Sequence, residues 1–155
     1  GGAPIRPEIG DFFDAIGIDL INGYGITECS PLVSVNPDTF NDCRTAGMPL
    51  PCCSVKIDDP SPEGIGEICV IGDSLALEYF HDPEKTAKTF TALTLPDGTK
   101  VRALMTGDLA RYDAEGNLVF VSRKKGSCSS PDGKRTLLYF PMVRISIQKK
   151  LRITS

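Results

Sequence analysis

Residues 23–31, GYGITECSP, set a hydroxyl and a carboxylate directly behind two glycines. Glycines let a backbone turn tightly and come close to a ligand. Backbone N–H groups freed by such a turn can hold a phosphate, the Thr27 hydroxyl can add a hydrogen bond, and Glu28 can hold Mg²⁺ against the phosphate oxygens. The stretch suits a nucleotide, and it equally suits a helix N-terminus with Thr27 as cap and Glu28 in the first turn. A second carboxylate follows a glycine in Thr106-Gly107-Asp108. A carboxylate in this setting commonly accepts both hydroxyls of a ribose, its two oxygens matching a vicinal diol. The alternative is a solvated turn acid. Arg123 can reach the same sugar or a phosphate, or serve as a surface charge.

The elements that must position these groups are readable in outline. PEIGDFFDAIG opens with Pro7 at a first helical position, places Ile9, Phe12, Phe13 and Ile16 at helical spacing, and stops at Gly17. IDLIN reads as a short buried strand and NGYG as a turn after it, the place where α/β proteins bind ligands. SVKI and EICVIG read as strands. HDPEKTAKTF reads as a helix with Asp82 as N-cap, Pro83 in first position, and Ala87 and Phe90 inward. Residues 93–123 alternate as two hairpins, turning at Pro96-Asp97-Gly98 and at Ala114-Glu115-Gly116-Asn117. The character thus changes from α/β to mostly β.

With 155 residues and 41% hydrophobic content, the chain can bury a core of its own. Opening on Gly1 and the apolar Ala3-Pro4-Ile5, it carries no leader pattern and reads as a piece of something larger. A net charge of −3 argues against nucleic acid as a partner, and no apolar run approaches the ~20 residues of a membrane span. Six cysteines without a CxxC pair, and one histidine, argue against a zinc site. Cys69, inside EICVIG, reads as a small buried hydrophobe, and the cysteines together suit a reducing cytoplasm.

Taken in order, GGAPI, GYGITECSP, TAGMPLP, EGIGEICVIG, EYFHDPEKTAKTF and MTGDLARYDAEGNLVFVSRKK resemble the adenylate-forming superfamily of acyl-CoA synthetases, luciferases and peptide-synthetase adenylation domains. The resemblance covers residues 1–125 and is nearest to long-chain fatty-acyl-CoA synthetases. It implies an α/β subdomain ending near residue 40, a small distorted β-barrel over 41–125, and a hinge and tail over 126–155. It implies activation of a fatty carboxylate by ATP to an acyl-adenylate, followed by transfer to coenzyme A. The alternatives are an amino-acid adenylation domain that loads a carrier protein and a non-catalytic AMP-binding fragment.

Carried onto this sequence, the resemblance puts Gly2, Ala3 and Pro4 at a strand end beside the adenine, Asn22, Gly23 and Tyr24 as the wall against which the adenine rests, and Gly25 in the nucleotide site and, with Ala3 and Cys29, at the border of the acyl pocket. Thr27 becomes the α-phosphate contact, Glu28 the Mg²⁺ ligand, Asp108 the ribose acceptor and Arg123 its helper. The parent enzyme would be cytoplasmic or loosely membrane-associated. The sequence departs from the family at Glu78, at Ser122 and at the hinge position Gly126. It contains neither the Ser/Thr/Gly-rich loop whose lysine grips the β- and γ-phosphates nor the C-terminal domain with its catalytic lysine, so the isolated chain is expected to be inactive.

The charge changes sign at the end. Residues 1–122 carry 19 acids against 8 bases, and residues 123–155 carry 1 acid against 9 bases. In acyl-CoA synthetases the hinge is followed by a segment close to NGKNIYPEEIE. Moving the reading frame of Met142–Ser155 by two bases permits GKNIYPEEIEDYI, the Met142-Val143 step giving Gly without ambiguity. The tail is therefore expected to be out-of-frame translation starting between residues 126 and 141. The alternative is a basic tail that docks on anions.

Overall fold

A computed structural model describes residues 5–37 and 41–124, together with the backbone of Met142–Val143. Gly2, Ala3, Pro4, Gly126, Cys128 and all of the tail but that residue pair lie outside them.

Pro7 opens helix α1, Pro7–Ala15, where a missing N–H costs nothing. The helix stops where expected, with Gly17 at φ +78°. Its buried residue is Gly10, against which Cys43 packs so closely that a Cβ would lie 2.2 Å from the sulfur. The inward face is narrower than the spacing predicts. Ile9 and Phe13 are half-buried, whereas Phe12 and Ile16 are exposed.

Strand β1, Leu20–Ile21, pairs antiparallel with β10, Met142–Val143. The next segment corrects the sequence reading. Gly23–Gly25, expected as a turn, is a fully buried strand, β2, antiparallel to β3, Leu32–Val35. Its glycines are required by close approach to protein backbone. A Cβ on Gly23 would lie 2.7 Å from the Ser34 carbonyl oxygen, and one on Gly25 would lie 2.1 Å from that of Pro31. The reversal comes later, in a 3₁₀ turn over Thr27–Cys29 that ends on Ser30 at φ +59°.

β3 also pairs with β4, Met48–Pro49, across the boundary expected at residue 40. The connecting loop is fastened from below by two buried amides. Asn22 Nδ2 donates to the Thr45 and Cys43 carbonyls, and Asn36 Nδ2 donates to those of Asp42 and Thr45.

The second half is one five-stranded antiparallel sheet. β5, Cys53–Asp58, lies beside β6, Gly66–Gly72, which pairs with the thirteen-residue β8, Lys100–Tyr112. On its other side β8 takes β7, Phe90–Thr94, along its first half and β9, Leu118–Arg123, along its second. The two expected hairpins therefore share one long strand. Among the described residues no ladder joins β5 to β7 or β9, so the sheet stays open and the expected barrel is not closed. The Val55 carbonyl on edge strand β5 accepts instead from Tyr112 Oη at 3.0 Å.

Helix α2, Pro83–Thr89, is capped as expected, Asp82 Oδ1 accepting from the Lys85 amide at 2.9 Å. Phe90 is buried behind it and Ala87 is exposed. The core joins both halves through Tyr24, Val33, Ile68, Val70, Leu104 and Leu118, all without exposed surface. Cys69 is fully buried, as its surroundings in the sequence imply.

Candidate functional site

Asp108 sits in mid-strand, not in a solvated turn. Gly107 takes φ +75°, and β8 is irregular against β6 at this point. The bulge is pinned by three contacts: Gly107 N–H to Glu67 Oε1, Thr106 Oγ1 to the Ile68 carbonyl, and the Asp108 amide to Thr106 Oγ1. Asp108 is thereby turned into the protein, with no exposed surface. Tyr24 Oη donates to its Oδ2 at 2.7 Å.

Arg123 stands directly opposite Asp108 in the β8–β9 ladder, and its Nε lies 3.6 Å from Oδ1. That is an ion pair, too long for a hydrogen bond. Oδ1 is buried and receives no hydrogen bond from any described residue. Burial raises the Asp108 pKa, the Tyr24 hydrogen bond and the Arg123 charge oppose the rise, and the charges of Glu67 and Glu28 add to it. A buried oxygen with an unused acceptor site is suited to a hydroxyl donor, which is the chemistry of a ribose.

Thr27 and Glu28 lie on the 3₁₀ turn between β2 and β3, the threonine exposed and the glutamate half-buried. This turn is held by a strap, residues 74–79. The Ala76 amide donates to the Glu28 carbonyl at 2.8 Å, Ser30 Oγ donates to the Ser74 carbonyl at 3.0 Å, and Tyr79 Oη donates to Glu28 Oε1. Arg102 of β8 in turn donates to the carbonyls of Ala76 and Leu77, its guanidinium stacked 3.9 Å from the Phe90 ring. Among the described residues no group of three or more metal-ligating side chains converges. The donor set fits a Mg²⁺ ion that takes one carboxylate and completes its shell with phosphate oxygens and water.

The structure thus brings together Tyr24, Asp108 and Arg123, and places Thr27 and Glu28 on one turn close enough for the Glu28 charge to be felt at Asp108. It does not give every expected residue an open face. Tyr24, expected along the adenine, and Asp108, expected at the ribose, both have 0% exposure, and the Tyr24 hydroxyl is spent on Asp108. Asn22 spends its amide on the 43–45 loop, and the glycines Gly23 and Gly25 face backbone.

Tyr79 is noted in the sequence only as the neighbour of Glu78, where the family has Gly-Tyr, and Lys85 and Arg102 are not singled out there at all. Tyr79 stands 51 residues from its partner Glu28, and nothing local to it signals the contact. An open cavity of about 460 Å³ lies elsewhere, between α1 and the 41–44 loop. It is lined by Asp11, Asp14, Asp19, Asp42 and Arg44 and holds none of the expected site residues.

A long-chain-fatty-acid–CoA ligase of Escherichia coli O157:H7 is 37% identical over 132 residues, covering 81% of this chain and 22% of that protein. The chain therefore spans about a fifth of the length of that ligase and of its Salmonella counterparts. An artificially fused adenylation–PCP di-domain from Klebsiella oxytoca superposes with a TM-score of 0.69 at 27% identity, over 82% of this chain and 26% of that one. O-succinylbenzoate coenzyme A synthetase from Bacillus subtilis, solved with AMP, superposes with a TM-score of 0.63 at 27% identity, over 79% and 25%. Residues 1–80, just over half of the chain, match the family described as AMP-binding enzyme, and the chain belongs to that family.

Proposed function

We propose that this chain is part of an AMP-dependent acid–thiol ligase, which activates a fatty carboxylate with ATP to an acyl-adenylate and passes the acyl group to coenzyme A. Residues 1–40 would end the ATP-binding subdomain and residues 41–125 form the β subdomain. The observation that carries the reading is Asp108: a buried carboxylate with one oxygen held by Tyr24, the other without a donor, and an arginine alongside. In this role Oδ1 accepts from the ribose, and the Arg123 charge opposes the rise in pKa that burial causes.

The Thr27 hydroxyl would donate to the α-phosphoryl oxygens, and Glu28 would hold Mg²⁺. The metal, when bound, withdraws charge from those oxygens as the carboxylate attacks. The names of the relatives favour a fatty acid as substrate and coenzyme A as acceptor. The likeness to the Klebsiella adenylation–PCP di-domain supports a second reading, an amino-acid adenylation domain that loads a carrier protein, without outweighing the first.

The test uses the 155-residue chain and needs no turnover. AMP should perturb the amides of residues 27–29 and 106–109, and 2′,3′-dideoxy-AMP should bind at least about tenfold more weakly, because two hydrogen bonds to a buried charged acceptor are lost. Equal binding of the dideoxy nucleotide would remove Asp108 from the site. ATP–pyrophosphate exchange by the chain alone should stay at background, since it holds neither the phosphate-gripping loop nor the C-terminal lysine.

For the tail we keep the out-of-frame reading, supported by the long run of codons compatible with GKNIYPEEIEDYI. The nucleotide sequence around residue 126 decides it. An intact frame, with no second open frame encoding the missing segment, would refute the shift.

A further inference from the structure

Both candidate carboxylates receive a phenol from a distant part of the chain, Tyr24 on Asp108 and Tyr79 on Glu28. The first pair is buried within the sheet. The second stands on a three-residue turn, where a glutamate with three side-chain torsions would otherwise sample many rotamers.

Tyr79 itself is fixed. Its amide donates to Thr86 Oγ1 at 3.0 Å, and that hydroxyl donates to the Asp82 carbonyl at the start of α2. One face of its ring lies 3.9 Å from the Lys85 ammonium, and Phe90 lies 6.1 Å away between centroids. A cation over a phenol ring draws density from the oxygen and makes its O–H a stronger donor. Glu28 Oε1 takes that hydrogen bond, and Oε2 takes none from a described residue.

We infer that Tyr79 is a positioning residue that holds the Glu28 carboxylate in the rotamer that presents Oε2 to a divalent cation, with Lys85 strengthening the phenol that does so. The inference rests on the reading of Glu28 as the metal ligand. Anchoring of the strap does not need the hydroxyl, because Ala76, Ser30 and Arg102 already tie residues 74–77 to the turn and to β8. What the hydroxyl adds is orientation of the carboxylate. Partners that orient a metal ligand in this way commonly change metal affinity by about 10- to 100-fold.

The experiment titrates the ¹⁵N-labelled chain with Mn²⁺ in the presence of AMP, and reads paramagnetic broadening of the amides of residues 27–29 and 76–80. AMP affinity is measured separately without metal. Glu28→Gln should abolish the broadening. Tyr79→Phe, which keeps the ring and its contacts, should weaken Mn²⁺ binding by roughly tenfold, with metal-free AMP affinity within about twofold and the β6 and β8 amides unshifted. A purely structural role would move both affinities together. Lys85→Gln should weaken Mn²⁺ binding by about two- to fivefold.

If Tyr79→Phe binds Mn²⁺ as tightly as the parent while Glu28→Gln loses it, the inference is overturned and Glu28 remains the ligand. If the parent shows no broadening that depends on Glu28, the metal reading fails and the inference with it. Should Tyr79→Phe not fold, Lys85→Gln decides, since an unchanged Mn²⁺ affinity there overturns the inference.

Discussion

Asp108 and Glu28 serve neighbouring parts of one proposed site, yet they are built in opposite ways. Asp108 belongs to a thirteen-residue strand paired on both sides, and a bulge at Gly107 turns it fully into the protein. Glu28 rides on a half-exposed turn tied to residues 74–79 by the Ala76 amide, the Ser30 hydroxyl and the Tyr79 phenol, with Arg102 holding that strap to β8. The first carboxylate is a property of the sheet, and losing it means losing ladder bonds. The second is a property of a few tethers, and it can be altered while the fold stands.

The contrast breaks most strongly in the core. Leu104→Ala, which hollows the sheet beneath Phe90 and Val70, should cost ~2–5 kcal/mol in urea unfolding. Leu77→Ala in the strap, where the side chain is 87% exposed, should change stability by less than ~0.5 kcal/mol. Equal costs would mean that strap and sheet are one cooperative unit. A smaller effect sharpens the Asp108 side. Gly107→Ala puts a Cβ on a left-handed residue and should cost ~1–2 kcal/mol, whereas an unchanged midpoint would show that the bulge is not set by that conformation.

The smallest effect is a slope. With a raised folded pKa, Asp108 binds its proton more tightly in the folded than in the unfolded chain. Its contribution to stability is complete below the ordinary carboxylate value of ~3.9 and is lost as pH rises through the raised value. Asp108→Asn should flatten this part of the pH–stability curve measured by urea midpoint. A curve parallel to that of the unsubstituted chain would mean that burial does not govern this carboxylate.

Local signals in the sequence were reliable where physics is local. Asp82-Pro83 fixes the start of α2 through one cap and one missing N–H, and both hairpin turns lie where glycine permits them. The GYG stretch misled because glycine serves two purposes. A turn needs its backbone freedom, whereas here β3 needs the space of an absent side chain. Asp108 looked like a loop acid because Thr106-Gly107 interrupts the alternation, and a bulge inside a strand leaves the same trace as a turn between strands. Tyr24 and Asp108 are 84 residues apart, and Tyr79 and Glu28 are 51 apart. Such pairs come from the crossing of β2 with the sheet and from the path of the strap, neither of which spacing along the chain encodes.

β8 carries both halves of the proposed site at once. Near one end Arg102 anchors the strap that orients Glu28, and further along Asp108 faces Tyr24. A strand that slips by one residue turns every side chain to the other face, so a misregistered β8 would misplace both carboxylates in a single error. The bulge at Gly107, bonded to Glu67 on one side and to the Lys124 amide on the other, marks the register that avoids it. One register of β8 therefore sets both the Arg102 anchor of the strap and the place of Asp108.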